Sequence, residues 1–226
     1  MDKPDINIVN TVPKLFWYNV ENFSDDITMW RKNNGIWQSH TWNEYGCWAR
    51  DLGHGLLNEG LKKGDKVSIL SETRLEWVVL DMAIMGVGCI TAPVYPSNTE
   101  DQVKFIIKHS GSKILFAEDQ EQLDKILSIW GELSNLKKVI VIDRFSPTDL
   151  PNVLSINEFR ELGVSHRNKN FGGFEEKLQS IKPKDIISLT YTSGTTGDPK
   201  AGMFNSNNVI SVAKNLPDLL PTYRTD

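Results

Sequence analysis

Cysteine is scarce in this sequence: Cys47 and Cys89 are the only two among 226 residues. One pair draws no disulfide framework, and a chain of this length buries about 70% of its unfolded surface without needing one. A reducing, cytoplasmic setting is the expectation. Positive charge is also in deficit, with 25 Lys and Arg against 29 Asp and Glu and a net charge of −4. That counts against a main affinity built on neutralising phosphate backbones, so no nucleic-acid partner is expected. Long apolar runs are missing as well. The nearest, Val78 to Val94, carries Asp81, is broken by Gly86 and Gly88 and stops at Pro93, short of the ~20 residues that a spanning helix needs. The opening MDKPDINIVN has neither the apolar segment of a secretory signal nor the arginines of a transit peptide. Peripheral membrane contact is left open. His40, His54, His109 and His166 show no metal-ligand spacing and read as structural or surface residues. There is no repeat and no low-complexity tract.

Aromatic residues, in contrast, crowd the first fifty positions: Phe16, Trp17, Tyr18, Phe23, Trp30, Trp37, Trp42, Tyr45 and Trp48. Interleaved with basic residues they could stack bases, yet Lys3, Lys14, Arg31, Lys32 and Arg50 face eight carboxylates within residues 1–60. Packing of an N-terminal subdomain is the expectation. Beyond it, helical and strand patterns alternate. Thr41-Trp42-Asn43-Glu44 fits a capping box before a helix with Trp48, Leu52, Leu56 and Leu57 on one face, ending near Gly60. Strands are expected at Val67 to Leu70, Cys89 to Val94, Ile114 to Ala117, Lys138 to Ile142 and Ile186 to Tyr191. Between them helices are expected from about Arg74 to Met85 with Ser71 as cap, from Thr99 to His109, and from Glu121 to Trp130. Short apolar strands alternating with helices give an α/β fold, a mostly parallel sheet flanked by helices on both faces. Residues 143–184, punctuated by Pro147, Pro151, Gly163, Gly172, Gly173 and Pro183, read as a connecting excursion with one short helix near Ser155 to Glu158.

The segment that carries chemistry is Asp185 to Gly202, DIISLTYTSGTTGDPKAG. An apolar strand opens into Thr192-Ser193-Gly194-Thr195-Thr196-Gly197, followed by Asp198-Pro199-Lys200. Its hydroxyls donate hydrogen bonds, its glycines let backbone N–H groups approach an anion, and Lys200 adds a mobile positive charge aimed by Pro199. Ligands of open α/β sheets bind beyond the carboxyl ends of strands, where this loop begins. A polyphosphate is the anion that suits it. The loop is not a Walker A motif, because Asp198-Pro199 separates Gly197 from Lys200, and no G-x-G-x-x-G occurs.

The string YTSGTTGDPKAG resembles the phosphate-binding signature of the adenylate-forming enzymes: acyl-CoA synthetases, luciferases and nonribosomal peptide adenylation domains. Thr41 to Tyr45, followed by Lys63 to Val67, is similar to that family's opening helix and first strand. Ser71 to Trp77 and Ala92 to Pro96 are similar to its long-chain fatty-acid branch. The resemblance implies an AMP-binding domain and a two-step reaction. A carboxylic acid attacks Mg-ATP to give an acyl adenylate and pyrophosphate, and coenzyme A then displaces AMP. It implies fatty acid, ATP and coenzyme A as small-molecule partners. Thr192, Ser193, Gly194, Thr195, Thr196, Gly197 and Lys200 would hold the phosphates, with the Thr192 hydroxyl toward magnesium. Relatives commonly carry His where Ser206 stands, followed by the matching Asn208, a difference that bears on acyl specificity. Counterparts of the family's adenine, ribose and metal groups and of its C-terminal lysine domain are not found in residues 1–226. The expectation is therefore the N-terminal portion of a longer enzyme, carrying the phosphate loop only. Two alternatives stay open: adenylation of another acid class, and a non-catalytic nucleotide- or pyrophosphate-binding fragment.

Among the remaining residues, Cys47 and Cys89 are expected as small apolar core residues. Glu72, Arg74 and Glu76 read as solvated charge at a helix start, and Lys62-Lys63 and Lys137-Lys138 as solvated turns. Asp81 is placed on the wet side of its helix.

Overall fold

A computed structural model describes residues 9–146, 148, 150–192 and 199–219. The chain begins with α1 (Val12–Asn22) and an antiparallel hairpin of its own, β1 (Ile27–Asn33) and β2 (Ile36–Thr41). The hairpin turns at Asn34 and Gly35, both left-handed at φ 48° and 84°, the conformation for which Asn-Gly is preferred. After α2 (Trp42–Asn58) come β3 (Lys66–Leu70), α3 (Leu75–Gly86), β4 (Ile90–Val94), α4 (Glu100–Ser110), β5 (Ile114–Ala117) and α5 (Gln120–Ile129). Then follow β6 (Lys138–Val141), β7 (Val153–Ser155), α6 (Ile156–Lys169), α7 (Gly173–Ser180), β8 (Ile186–Thr192), β9 (Lys200–Asn205) and α8 (Ser206–Leu219). Seven strands make one sheet in the order β7-β6-β5-β3-β4-β8-β9, parallel throughout except for the final pair. The expected α/β architecture is present. No helix of the described residues is long and apolar enough to cross a membrane.

Alternation along the central strands builds two cores. Ile114, Phe116 and Ile140 join residues of α1, α2, α3, α6 and α7 on one face. Leu115, Ala117, Val139 and Val141 join α4 and α5 on the other. The capping boxes expected at Thr41 and Thr99 form, and a third forms at Ser155. Ser71 does not cap α3; its hydroxyl donates to the Glu72 carbonyl, and the helix starts after Arg74 without a side-chain cap.

The sequence underrated residues 143–184. The helix expected to be short runs for 14 residues, and β7 and α7 flank it. Gly163 reads locally as a helix breaker, but packing requires it: a Cβ there would collide with the Asp51 carbonyl and crowd the Gly55 amide of α2. Gly55 in turn makes room for the ring of Phe159. Glycines on both helices thus bring α6 down onto α2. Gly163→Ala should destabilise the fold by about 3 kcal/mol, at the upper end of overpacking costs. Gly131→Ala, in open space, should stay within about 0.5 kcal/mol of wild type. Urea unfolding of the two variants checks this; equal midpoints would contradict the helix contact.

Candidate functional site

The carboxyl end of β8 is the place singled out by sequence, and the structure describes both shoulders of the loop there. Thr192 is the last residue of β8 and Lys200 the first of β9, and they face each other as the terminal register pair of the antiparallel ladder. Both are exposed. Ser193, Gly194, Thr195, Thr196 and Gly197 lie outside the described residues. The strand's other end is anchored by Lys63, whose Nζ contacts Asp185 at 2.5 Å and donates to the Ser180 carbonyl at 3.0 Å. The Lys62-Lys63 turn is therefore tied down, as is Lys138 through Glu59 at 2.6 Å, contrary to the solvated reading of both pairs.

The faces of β8 divide its work. Leu189 and Tyr191 enter the α4–α5 core. The Tyr191 hydroxyl meets His109 Nδ1 at 2.9 Å, and His109 stacks on Phe105. Burial raises the Tyr191 pKa, against a hydrogen bond with Ser110. Ser188, Thr190 and Thr192 take the alternate face, where Ser188 is in register with buried Thr91 of β4. Thr91 donates to Asp81 Oδ1 at 2.6 Å. Asp81 is thus half-buried and bonded, not freely solvated: burial pushes its pKa up to about 6 against the bond from Thr91. Beside Thr192, a cleft of about 170 Å³ opens between Pro93, Tyr95, Asn98, Gln102 and Tyr191.

Downstream, Asn205 caps α8, with its side chain accepting from the Asn208 N–H while Asn208 accepts from the Asn205 N–H. Asn208 therefore closes a helix start. Ser206, fully buried, accepts from Val12 N–H at 3.1 Å and so ties α8 to the first turn of α1.

Arg74, read from sequence as solvated charge, is the hub of a network over the carboxyl ends of β3, β5 and β6. It donates to both oxygens of Asp143 (2.9 and 2.8 Å), to Glu76 at 2.7 Å and to Glu118 at 3.4 Å, while Arg31 reaches Glu76 at 2.9 Å. The Asp143 pair chiefly raises the Arg74 pKa, and Arg74 holds the Asp143 carboxyl low. Burial opposes ionisation of Glu76, yet Arg74 and Arg31 hold its pKa below the usual range. Cys89 is buried and burial pushes its thiol up to about 12, as fits a core residue. Cys47 is only partly buried, its sulfur 3.7 Å from Asn43 Oδ1, so it is not core. The histidines are not all isolated: His54 and His166 meet at 3.0 Å through their Nδ1 atoms. Among the described residues no group of three or more His, Cys, Asp or Glu could hold a metal ion.

Comparison with known proteins gives these features a context. The AMP-binding enzyme family matches residues 16–224. The chain is 30% identical over 208 residues to the long-chain-fatty-acid–CoA ligase ACSBG1 of Homo sapiens, covering 90% of this chain and 28% of that protein. It is 30% identical over 198 residues to the ligase FadD15 of Mycobacterium bovis, covering 88% and 32%. The chain thus spans about a third or less of the length of these relatives. Among solved structures, an anthranilate CoA ligase with anthranoyl-AMP has a TM-score of 0.74 at 21% identity, over 95% of this chain and 38% of that one. A fatty acyl-adenylate ligase of L. pneumophila has a TM-score of 0.69 at 20% identity, over 96% and 34%.

Asp81 provides a measurable consequence. Its pKa is near 6 in the folded chain against an ordinary 3.8, so folding favours the protonated carboxyl. The group therefore costs stability that grows as pH rises from about 4 and is complete above about 6, at most about 3 kcal/mol. Relative to wild type, Asp81→Asn should gain stability between pH 4.5 and 7.5 in urea unfolding. A difference that stays constant across that interval would refute the assignment.

Proposed function

Because the chain belongs to the AMP-binding enzyme family, we propose that it serves the ATP-dependent activation of a long-chain fatty acid, first to the acyl adenylate and then to acyl-CoA. The observation that supports this most directly is the terminal pairing of Thr192 with Lys200, with Ser-Gly-Thr-Thr-Gly-Asp-Pro between them. A strand that ends in hydroxyls and returns through a lysine brings donors and a positive charge to one edge of the sheet. In the first step a carboxylate oxygen of the acid attacks the α-phosphorus, and the bond to pyrophosphate breaks. In the second the sulfur of coenzyme A attacks the acyl carbonyl, AMP leaves with the bridging oxygen, and the thiol proton passes to solvent.

In this reading Thr192, Ser193, Gly194, Thr195, Thr196, Gly197 and Lys200 hold the β- and γ-phosphates and then the departing pyrophosphate. Their work is electrostatic, and little covalent chemistry falls to the protein. Lys200 acts as a point charge on a flexible stem. The exposed Thr192 hydroxyl is a hard oxygen donor of the kind magnesium accepts. Magnesium, when bound, would spread the charge of the phosphates. Residues 1–226 act here as the N-terminal part of an AMP-binding domain. The names of the curated relatives support a long-chain acid.

Exchange of pyrophosphate into ATP tests the proposal in the protein as translated. Palmitate should support exchange, and Lys200→Ala should lower it at least tenfold. Exchange with aryl or short acids and not with palmitate would replace the acid class. Exchange indifferent to Lys200 would overturn the role of the loop. Saturable pyrophosphate binding with no exchange under any acid would leave a non-catalytic module in its place.

A further inference from the structure

A second cavity lies apart from the phosphate loop and shares no residue with it. It measures about 310 Å³ and is lined by Arg50 and His54 of α2, Arg167 of α6, Phe171 and Gly172 of the connection that follows, and Glu175 of α7. We infer that this cavity is a binding site for a small oxyanion, a phosphoryl or carboxylate group, held by Arg50, Arg167 and His54.

The argument begins with His54. Its side chain is 1% exposed, and its Nε2 has no hydrogen-bond partner among the described residues. At Nδ1 it meets His166 Nδ1 at 3.0 Å, so one of the two nitrogens carries the hydrogen and the other accepts it. If His54 accepts, its Nε2 bears a buried N–H with nothing to donate to. An unsatisfied buried donor is expensive, and an oxyanion in the adjoining cavity would satisfy it.

The charges around the cavity are unevenly satisfied. Asp51, 3% exposed, takes one Arg167 nitrogen at 2.6 Å and Arg160 Nε at 3.0 Å. Arg50 lies over the Trp17 ring at 4.7 Å. Its Nε is 3.1 Å from Glu175 Oε1 but is not aligned for a hydrogen bond. Glu175 is half exposed, so an entering anion can displace it and take Arg50 in its place. The N-cap of α7, Gly172, provides no side-chain cap, and although the Gly173 N–H donates to the Asn170 carbonyl at 3.2 Å, the positive end of the helix favours an anion. Burial is the main cause that lowers the His54 pKa, with His166, Arg167 and Arg50 adding to it and Glu175 opposing.

The test needs no catalytic activity, so its failure and that of the proposed ligase function are independent. Nitrogen-15 NMR of the histidine side chains follows His54 and His166 as inorganic phosphate, sulfate or acetate is added at constant ionic strength. Phosphate or acetate should shift the His54 signals saturably and move its titration to higher pH. Saturation by phosphate alone assigns a phosphoryl ligand, and saturation by acetate alone a carboxylate. Arg50→Met should weaken the effect at least tenfold in a chain whose circular dichroism is unchanged. Glu175→Gln, which alters only the half-exposed carboxylate, should tighten it several-fold. No saturation, a shift that chloride reproduces, or an affinity indifferent to both substitutions would overturn the site.

Discussion

Parallel pairing of β3 with β4 and β5 carries the carboxyl ends of three strands to one edge, and burial on both faces holds them there. In β5 the odd and even side chains belong to different cores, Ile114 and Phe116 to one and Leu115 and Ala117 to the other. A slip of one residue would exchange those two sets between the faces, so the register is specified twice over. Everything that emerges from this edge inherits its position: the Arg74 network over β3, β5 and β6, the cleft beside β4, and the end of β8. On β4 and β8 the symmetry breaks. One face still packs apolar residues, while the other carries Thr91 beside Ser188. The apolar face fixes the strand, which frees the opposite face to be polar as it approaches the Thr192–Lys200 pair.

The legible parts of the sequence are those whose signals are local. Capping boxes at Thr41 and Thr99 and a run of apolar β-branched residues at Val139 to Ile142 state their structure within a few residues. The misread parts depend on partners distant along the chain. Gly163 reads as a breaker until α2 is laid against it, and then becomes a requirement of contact. Asp81 reads as a wet-side carboxylate within its apolar run; Thr91, ten residues on and in a strand, decides its environment. Arg74 reaches Glu118 and Asp143 from 44 and 69 residues away, which no spacing rule anticipates. The β1–β2 hairpin is different, since Asn34-Gly35 was a usable signal. It was masked by the surrounding aromatics, which suggested packing: Trp17 and Tyr45 are buried, but Trp30 and Trp37 stand out into solvent.

Position Ser206 shows how a site residue and a structural residue differ in kind. The family resemblance alone would assign this position to the substrate side. In this chain the hydroxyl is buried and receives the Val12 amide, a small acceptor suited to a helix crossing. Ser206 and the packing of α1 against α8 therefore belong together.

The two arginine clusters separate a saturated structure from an unsaturated one. Arg74 spends its guanidinium on three carboxylates, with both Asp143 oxygens engaged, so its positive charge is neutralised within the protein and offers a ligand nothing. Desolvating such a hub is tolerable because each charge meets a partner. In the α2–α6–α7 cavity the accounting differs. Asp51 takes one Arg167 nitrogen, but Glu175 approaches Arg50 without aligned hydrogen bonding, and the His54 Nε2 faces no partner. Buried polar groups in folded chains are paired as a rule, so an unpartnered imidazole nitrogen beside two guanidiniums and a cavity is an arrangement the fold has not completed by itself. With His54 accepting at Nδ1, the completing group takes the Nε2 hydrogen, its negative charge suits Arg50, and it must be small enough for a space of about 310 Å³. Those three requirements describe an oxyanion.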